Sequence, residues 1–398
     1  MARKASFRKA SIRDRARRSV QSPTLFSLRA AACRAHASMN AFTGAASLRD
    51  HYTRIVLPLW RGPGFNAALR LPHEAIDASG SQPLPDARYR AMACARQLFV
   101  FSQAGDAAHA HTLFESLRHT FRDRTHGGWF YSVDPQGAPL DTTKDLYTHA
   151  FVVFACSAYG QRFGVSEALD AARETSALIL DRFRAPDGLL HAALDVSFSN
   201  VIGGPLQNPL MHLTEAWLVA RDATGDAAFD TAITQLCEAL ARGFLHAPTG
   251  CIAELPLGAA GNRLEPGHQF EWFWLAAQAG EQRLGASGLQ EALVRAFAFA
   301  VKHGVSPVTG AVAAALDEQG RVTDATQRIW AQTEYLRAIA THGDTVVRAT
   351  LDAQIERFAG RFLTPQGWVE CRSANGEIAR ADMPSTTPYH LLTAYNAL

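Results

Sequence analysis

Hydrophobic positions along this chain fall into two kinds of run that alternate from end to end. In the first kind nearly every side is apolar, as in 263–275, R-L-E-P-G-H-Q-F-E-W-F-W-L, where Phe270, Trp272, Phe273, Trp274 and Leu275 leave almost no polar face. A helix of that kind belongs inside a protein. Pro266 suits its first turn, because the missing N–H would be an orphan there anyway. Runs of this first kind begin near Arg88, Lys144, Pro209, Pro266, Thr326 and Thr387. The second kind is amphipathic and more charged, over 107–121, 166–183, 227–244, 289–303 and 345–362, with 45–57 as one more at the front.

A turn signal marks each repeat. Gly64-Phe65, Gly128-Trp129, Gly188-Leu189, Gly250-Cys251, Gly310-Ala311 and Gly367-Trp368 stand 64, 60, 62, 60 and 57 residues apart, often followed by a hairpin signal such as Asp134-Pro135-Gln136-Gly137 or Asp317-Glu318-Gln319-Gly320. Twelve helices in six pairs are the mark of a repeat architecture, since no pair alone buries its apolar member. An open solenoid and a closed ring both suit the pattern. The ring suits it better: the chain starts on an outer-type helix and ends on an inner-type one, so 45–57 completes the pair opened at Thr387. The expected fold is all-α, an (α/α)6 barrel of six inner and six outer helices with short hairpins in the connecting loops.

Composition adds limits. Of 398 residues, 47% are hydrophobic and 19% charged, which describes a globular chain with a large core. The net charge of +2 hides a step: ten Lys/Arg and one acid precede Met39, leaving 29 basic against 36 acidic residues beyond it, a net of −7. The body is acidic, which disfavours nucleic acid as a partner. Residues 1–38 read as a disordered basic leader, a targeting segment, or codons translated from too early a start; the last is preferred, with 39–398 as a single domain. No apolar run approaches ~18 residues, so no membrane span is expected. Six cysteines lie far apart without a C-x-x-C pair, which suits a reducing cytoplasm and neither disulfides nor zinc.

In a closed ring, residues near the start of each inner helix converge on one axial cavity. The candidates are Arg96 with Gln97, Asp145 with Tyr147 and His149, Asn208 with His212, His268 with Glu271, Trp330 with Glu334, and Tyr389 with His390. For His268 and Glu271, three apart on one face, a satisfied core pair is an equal reading. Taken together they place a polar group at the corresponding point of all six repeats. Histidines that act as acid or base near neutral pH, an arginine for developing oxyanion charge and an indole face suit proton transfer on a polyhydroxylated substrate. No H-x-x-x-H pair shares a helix, so no catalytic metal is expected. Phosphate-loop and dinucleotide fingerprints are absent, so no nucleotide cofactor is expected either.

Seven segments carry a resemblance: A-R-Q-L-F-V-F-S (95–102), G-G-W-F (127–130), K-D-L-Y-T-H-A-F (144–151), N-P-L-M-H-L-T-E-A (208–216), E-P-G-H-Q-F-E-W (265–272), R-I-W-A-Q-T-E (328–334) and S-T-T-P-Y-H-L (385–391). Together they resemble the N-acylglucosamine 2-epimerase superfamily, from about Tyr52 to the C-terminus. The resemblance implies an (α/α)6 barrel and cofactor-free, metal-independent isomerisation or epimerisation of a monosaccharide. It implies that His268 and His390 are the catalytic histidines, with Glu271 the acid beside the first and Arg96 at the reacting oxygens. Asn208, His212, Trp330 and Glu334 become substrate-binding, with Tyr147 and His149 beside them. Two departures are Met92, where some members have an aromatic, and the loop 257–263, which does not reproduce an arginine of the sulfoquinovose isomerases. The expected reaction is mannose–fructose isomerisation through a cis-enediol, with 2-epimerisation as the alternative. A glycoside hydrolase would need two carboxylates flanking the bond, and a non-catalytic sugar binder would have no need of paired histidines. No membrane partner is expected, and a homodimer is compatible with the sequence.

Overall fold

Every apolar run forms a helix, and each is partnered by an amphipathic one, in a computed structural model that describes residues 44–398 apart from 86, 285 and 286. The expectations for 1–38 and for a start at Met39 lie outside the described residues. The front run is α1 (Ala45–His51), a π-helical turn (Tyr52–Val56) and α2 (Leu57–Arg61), where Pro58 occupies the first turn. Then come α3 (Ala91–Gln103), α4 (Ala107–Ser116), α5 (Leu146–Phe163), α6 (Ser166–Arg182), α7 (Gln207–Thr224), α8 (Ala228–Phe244) and α9 (Pro266–Leu284). The chain closes with α10 (Leu289–Gly304), α11 (Ile329–Thr341), α12 (Thr345–Arg348), α13 (Leu351–Phe362) and α14 (Thr387–Ala397).

Burial separates the two kinds as their patterns require. On α3 every residue from Ala91 to Ser102 is buried, whereas α13 buries only Gln354, Ile355, Phe358, Ala359 and Phe362, one stripe at helical spacing. The inner helices α3, α5, α7, α9, α11 and α14 each pack on the next, and α14 returns to α3. Tyr389 of α14 meets Phe99 of α3 at 5.8 Å between ring centroids, and Gln97 donates to the carbonyl of Ser385 at 2.5 Å.

The hairpins obey one rule around the ring. The segment leading into each inner helix bonds to the segment that precedes the next inner helix. Tyr89–Arg90 pairs with Ser132–Val133, Lys144–Asp145 with Ala193–Leu194, and Gln327–Arg328 with Cys371–Arg372. Between them, the Gln207 N–H reaches the carbonyl of Glu254 at 3.4 Å, and Leu264 bridges Leu316. Met383–Pro384 then pairs with Ala75–Ile76, ahead of α3, so the last repeat bonds to the first. These contacts fix the rim on which the polar candidates sit.

Two helices differ from expectation. The run 107–121 is α-helical only to Ser116 and ends in a π-helical turn, Leu117–Phe121. The run 345–362 breaks between α12 and α13, where the Thr350 hydroxyl bonds the Val347 carbonyl at 2.7 Å, a local bond that competes with the helix. Cys94, Cys156, Cys237 and Cys251 are buried free thiols and Cys371 is a partly buried one. None of the described helices is long and apolar enough to cross a membrane.

Candidate active site

The starts of the inner helices enclose a cavity of about 230 Å³. Of the expected residues, Arg96, Tyr147, Asn208, His212, His268, Glu271, Trp330 and His390 line it. A larger hollow of about 630 Å³ is an outer-surface groove containing Arg184, Asp187, Glu238 and Arg242; it shares no residue with the cavity and has no histidine.

His268 occupies the first turn of α9, where Pro266 opens the helix and Gly267 leaves room for a neighbour. A Cβ on Gly267 would stand 2.7 Å from Trp330 Cζ3, so only glycine lets this indole lie against the turn. Trp330 thereby sits beside both histidines, its ring centroid 4.9 Å from that of His268 and 5.8 Å from that of His390.

Each histidine leans on a carboxylate through Nδ1. His268 Nδ1 lies 2.7 Å from Glu254 Oε1 and 3.6 Å from Glu265 Oε2; His390 Nδ1 lies 2.9 Å from Glu334 Oε1. Glu334 already accepts from Arg337 Nη1 at 3.2 Å, and the same guanidinium reaches Glu215 at 3.4 Å. The electrostatic outcomes are opposite. Burial pushes His268 towards neutrality, but the charge and hydrogen bond of Glu254, with help from Glu265, outweigh it and raise its proton affinity. For His390, burial and the positive charge of Arg96 hold the proton affinity well below the ordinary value. His212 is pushed down to about 4 by burial, so a neutral ring donates Nδ1–H to Glu215 at 3.4 Å.

Glu271 does not pair with His268. Its carboxyl lies 3.7 Å from His212 Nδ1 and has no hydrogen bond to either oxygen among the described residues. The helix carries Glu271 one turn deeper, and the acid that His268 meets comes from the preceding hairpin. Burial, together with Glu334 and Glu215, holds the Glu271 carboxyl well above the usual range, which favours the protonated form that can donate a hydrogen bond. Arg96 Nε and Asn208 Oδ1 are likewise buried without a partner among the described residues. Orphaned polar atoms on one cavity wall call for a polar ligand. Arg96 itself is fixed by donation to Tyr147 Oη at 2.6 Å and by the face of Phe151, 4.1 Å away.

Five expected residues do not line the cavity. His149 is fully buried off the cavity: its Nε2 accepts from the Trp129 N–H at 3.2 Å, and its Nδ1 bonds the Asp145 carbonyl at 2.8 Å. Gly128, at φ 69°, lets the hairpin approach that ring. Asp145 caps α5 through the Thr148 N–H, and Gln97 ties α3 to Ser385. Tyr389 is buried behind the wall, donating to Glu215. Glu334 does not line the cavity but holds His390 from behind. The residues not foreseen are Glu254, Arg263, Glu265, Arg328, Glu370, Thr386 and Thr387 on the wall, and Gln207, Glu215 and Arg337 behind it. Glu254 and Glu370 follow the repeat glycines Gly250 and Gly367 by four and three positions, a signal that aligning the repeats would have exposed. In the loop 257–263, Arg263 reaches the cavity but is bonded to Glu265 at 2.7 Å.

The sequence model of the N-acylglucosamine 2-epimerase (GlcNAc 2-epimerase) family matches residues 73–394. The chain belongs to this family. It is a sugar isomerase or epimerase of the family. The "Mannose-6-phosphate isomerase" of Rhizobium meliloti (strain 1021) is 29% identical over 391 residues, covering 88% of this chain and 95% of that one. The "D-mannose isomerase" of Thermobifida fusca is 34% identical over 160 residues, 38% of each chain. Among solved structures, a D-mannose isomerase superposes with a TM-score of 0.78 at 19% identity, covering 90% of this chain and 98% of that one. The cellobiose 2-epimerase of Spirochaeta thermophila DSM 6192 gives 0.74 at 23%, over 89% and 96%. Those likenesses show the barrel fold that the family shares.

Proposed function

We propose that this protein is an aldose–ketose isomerase that converts D-mannose, or a close aldose, into the 2-ketose through a cis-enediol. The observation that carries the reading is the pair of histidines on one cavity, each bonded through Nδ1 to a buried carboxylate and each beside Trp330, in surroundings that raise the proton affinity of His268 and lower that of His390. Two titratable groups whose surroundings push them apart are how acid and base roles are divided.

In the open-chain sugar, neutral His390 takes the C2 proton while a proton from His268 reaches O1, giving the enediol. Removal of the O2 proton by the now neutral His268, with return of the proton from His390 to C1, then yields the ketone at C2 and regenerates both rings. Arg96 and the neutral carboxyl of Glu271 steady the oxygen charge that develops between the two proton transfers. The reaction proceeds without a metal. Among the described residues, three groups could in principle hold one, His212 with Glu215 and Glu271, Glu254 with Glu265 and His268, and Glu271 with Glu334 and His390. In each, the histidine Nδ1 already bonds a carboxylate, which supports the metal-free reading.

Incubation with mannose in deuterated buffer tests the proposal. Fructose carrying deuterium at C1 is the expected product. Glucose deuterated at C2 would assign the chain to 2-epimerisation, and unchanged mannose would refute sugar proton transfer on this substrate.

A further inference from the structure

The hairpin before α9 holds a carboxylate more firmly than a surface loop requires. Glu254 is buried, its N–H donates to the Arg263 carbonyl at 3.1 Å, and its own carbonyl accepts from the Gln207 N–H at 3.4 Å. The next residues are clamped by Asn262, whose side chain accepts from the Leu255 N–H at 2.9 Å and donates to the Leu255 carbonyl at 2.8 Å.

The hydrogen bonds around Glu254 have a direction. Trp272 Nε1 can only donate, and it donates to Gln207 Oε1 at 2.8 Å, so the Gln207 amide nitrogen must face the other way. That nitrogen lies 3.1 Å from both Glu254 oxygens. It also lies 2.9 Å from His268 Nδ1, but a carboxylate oxygen at 2.7 Å makes Nδ1 the hydrogen-bearing atom. Glu254 is therefore an acceptor on every side, and the chain Trp272, Gln207, Glu254, His268 runs one way.

Resting on the isomerase reading, we propose that Glu254, oriented by Gln207 and Trp272, is a positioning residue for the reaction: it fixes the hydrogen of His268 on Nδ1, turns Nε2 to the substrate and makes the ring the proton donor of the pair. Among the described residues no Lys or Arg lies within ion-pairing distance of Glu254, whose ionic partner is His268 itself, whereas Glu334, its counterpart behind His390, is bonded to Arg337. A carboxylate with no Lys or Arg bonded to it pulls harder on the imidazole, although Arg263 feels part of its charge. The other charged groups acting on His268 are Glu265, at 3.6 Å, and Arg328, which opposes the proton; the His212 ring is titratable too but neutral above about 4.

The test is the titration of His268 itself. In full-length protein labelled with ¹⁵N-histidine, with the resonance assigned by His268→Gln, the wild-type ring is expected to keep its proton above pH ~6.5. Glu254→Gln should move the midpoint to lower pH by about one unit or more, the usual effect of one close opposite charge. The alkaline limb of kcat should move with it. Glu254→Asp, which keeps the charge, should return the midpoint most of the way, and Glu254→Ala should shift it in the same direction as Glu254→Gln should that variant not fold. A midpoint unmoved in Glu254→Gln, or in Glu254→Ala in its place, would overturn the inference. The titration needs no sugar. A wild-type protein inert towards mannose but showing the shift would defeat the isomerase reading and leave the role of Glu254 in setting the His268 proton intact.

Discussion

The two histidine–carboxylate pairs of the cavity have the same connectivity and opposite consequences. His268 with Glu254 and His390 with Glu334 each bond through Nδ1, each is buried, and each faces Trp330. What differs is the next neighbour. Behind Glu254 stands Gln207, a neutral amide, with Glu265 close by; behind Glu334 stands Arg337, shared with Glu215. One carboxylate keeps its charge for the imidazole, and the other spends it on a guanidinium. A dyad is therefore defined by its outer partners as much as by its histidine.

Removing the guanidinium breaks the contrast most severely. Arg337→Met leaves Glu215 and Glu334 buried without their cation, at an expected cost of about 3–5 kcal/mol in unfolding free energy. Denaturant titration measures it, and a loss under about 1 kcal/mol would show that the pair at His390 does not depend on Arg337.

Acidity separates the pairs more gently. His212, beside His390, is neutral in the fold down to about 4, while in the unfolded chain it gains a proton near its ordinary 6.5. Stability is therefore lost as pH falls through that window, by roughly 3 kcal/mol from this group. His268 acts with the opposite sign. Its raised value contributes stability that is complete below ~6.5 and lost as pH rises through the folded value. Melting temperatures across pH 4 to 9 should show His212→Gln flattening the acid side and His268→Gln the alkaline side; unchanged slopes would contradict the assignment.

A smaller effect is expected at the indole between the pairs. In Gly267→Ala the new methyl meets Trp330 and the Cβ of Ala331, at 2.8 Å, and overpacking of this kind costs about 1–3 kcal/mol. Displacing Trp330 should raise KM for the sugar more than it lowers kcat. Treatment with a strong chelator should change nothing; lost turnover that one stoichiometric metal restores would overturn the metal-free mechanism.

The alternation of apolar and amphipathic runs made the barrel legible, because a helix without a polar face has to be covered by others. The start of α9 was legible residue by residue, since Pro266 and Gly267 fix the turn that presents His268. Its partner was not. Three-residue spacing put Glu271 on the same face as His268, but a hairpin brings Glu254 within 2.7 Å, a contact set by pairing between repeats rather than by helical period. The same holds for His149, which reads as a mouth residue from its place on α5 and instead turns to the Trp129 N–H. Arg337 was hidden for another reason. It lies one turn below Glu334 on a helix whose apolar face gives no sign that a charge is buried there.

His390 as the carbon base is the central step of the proposed mechanism. His390→Ala should bind sugar and melt within a few degrees of the wild type, yet deuterium should enter the product at least ~10²-fold more slowly, as removal of a general base requires. Combined with His268→Ala, the loss should be smaller than the product of the two single losses. A His390→Ala protein that is destabilised but exchanges deuterium at the wild-type rate per folded molecule would contradict it.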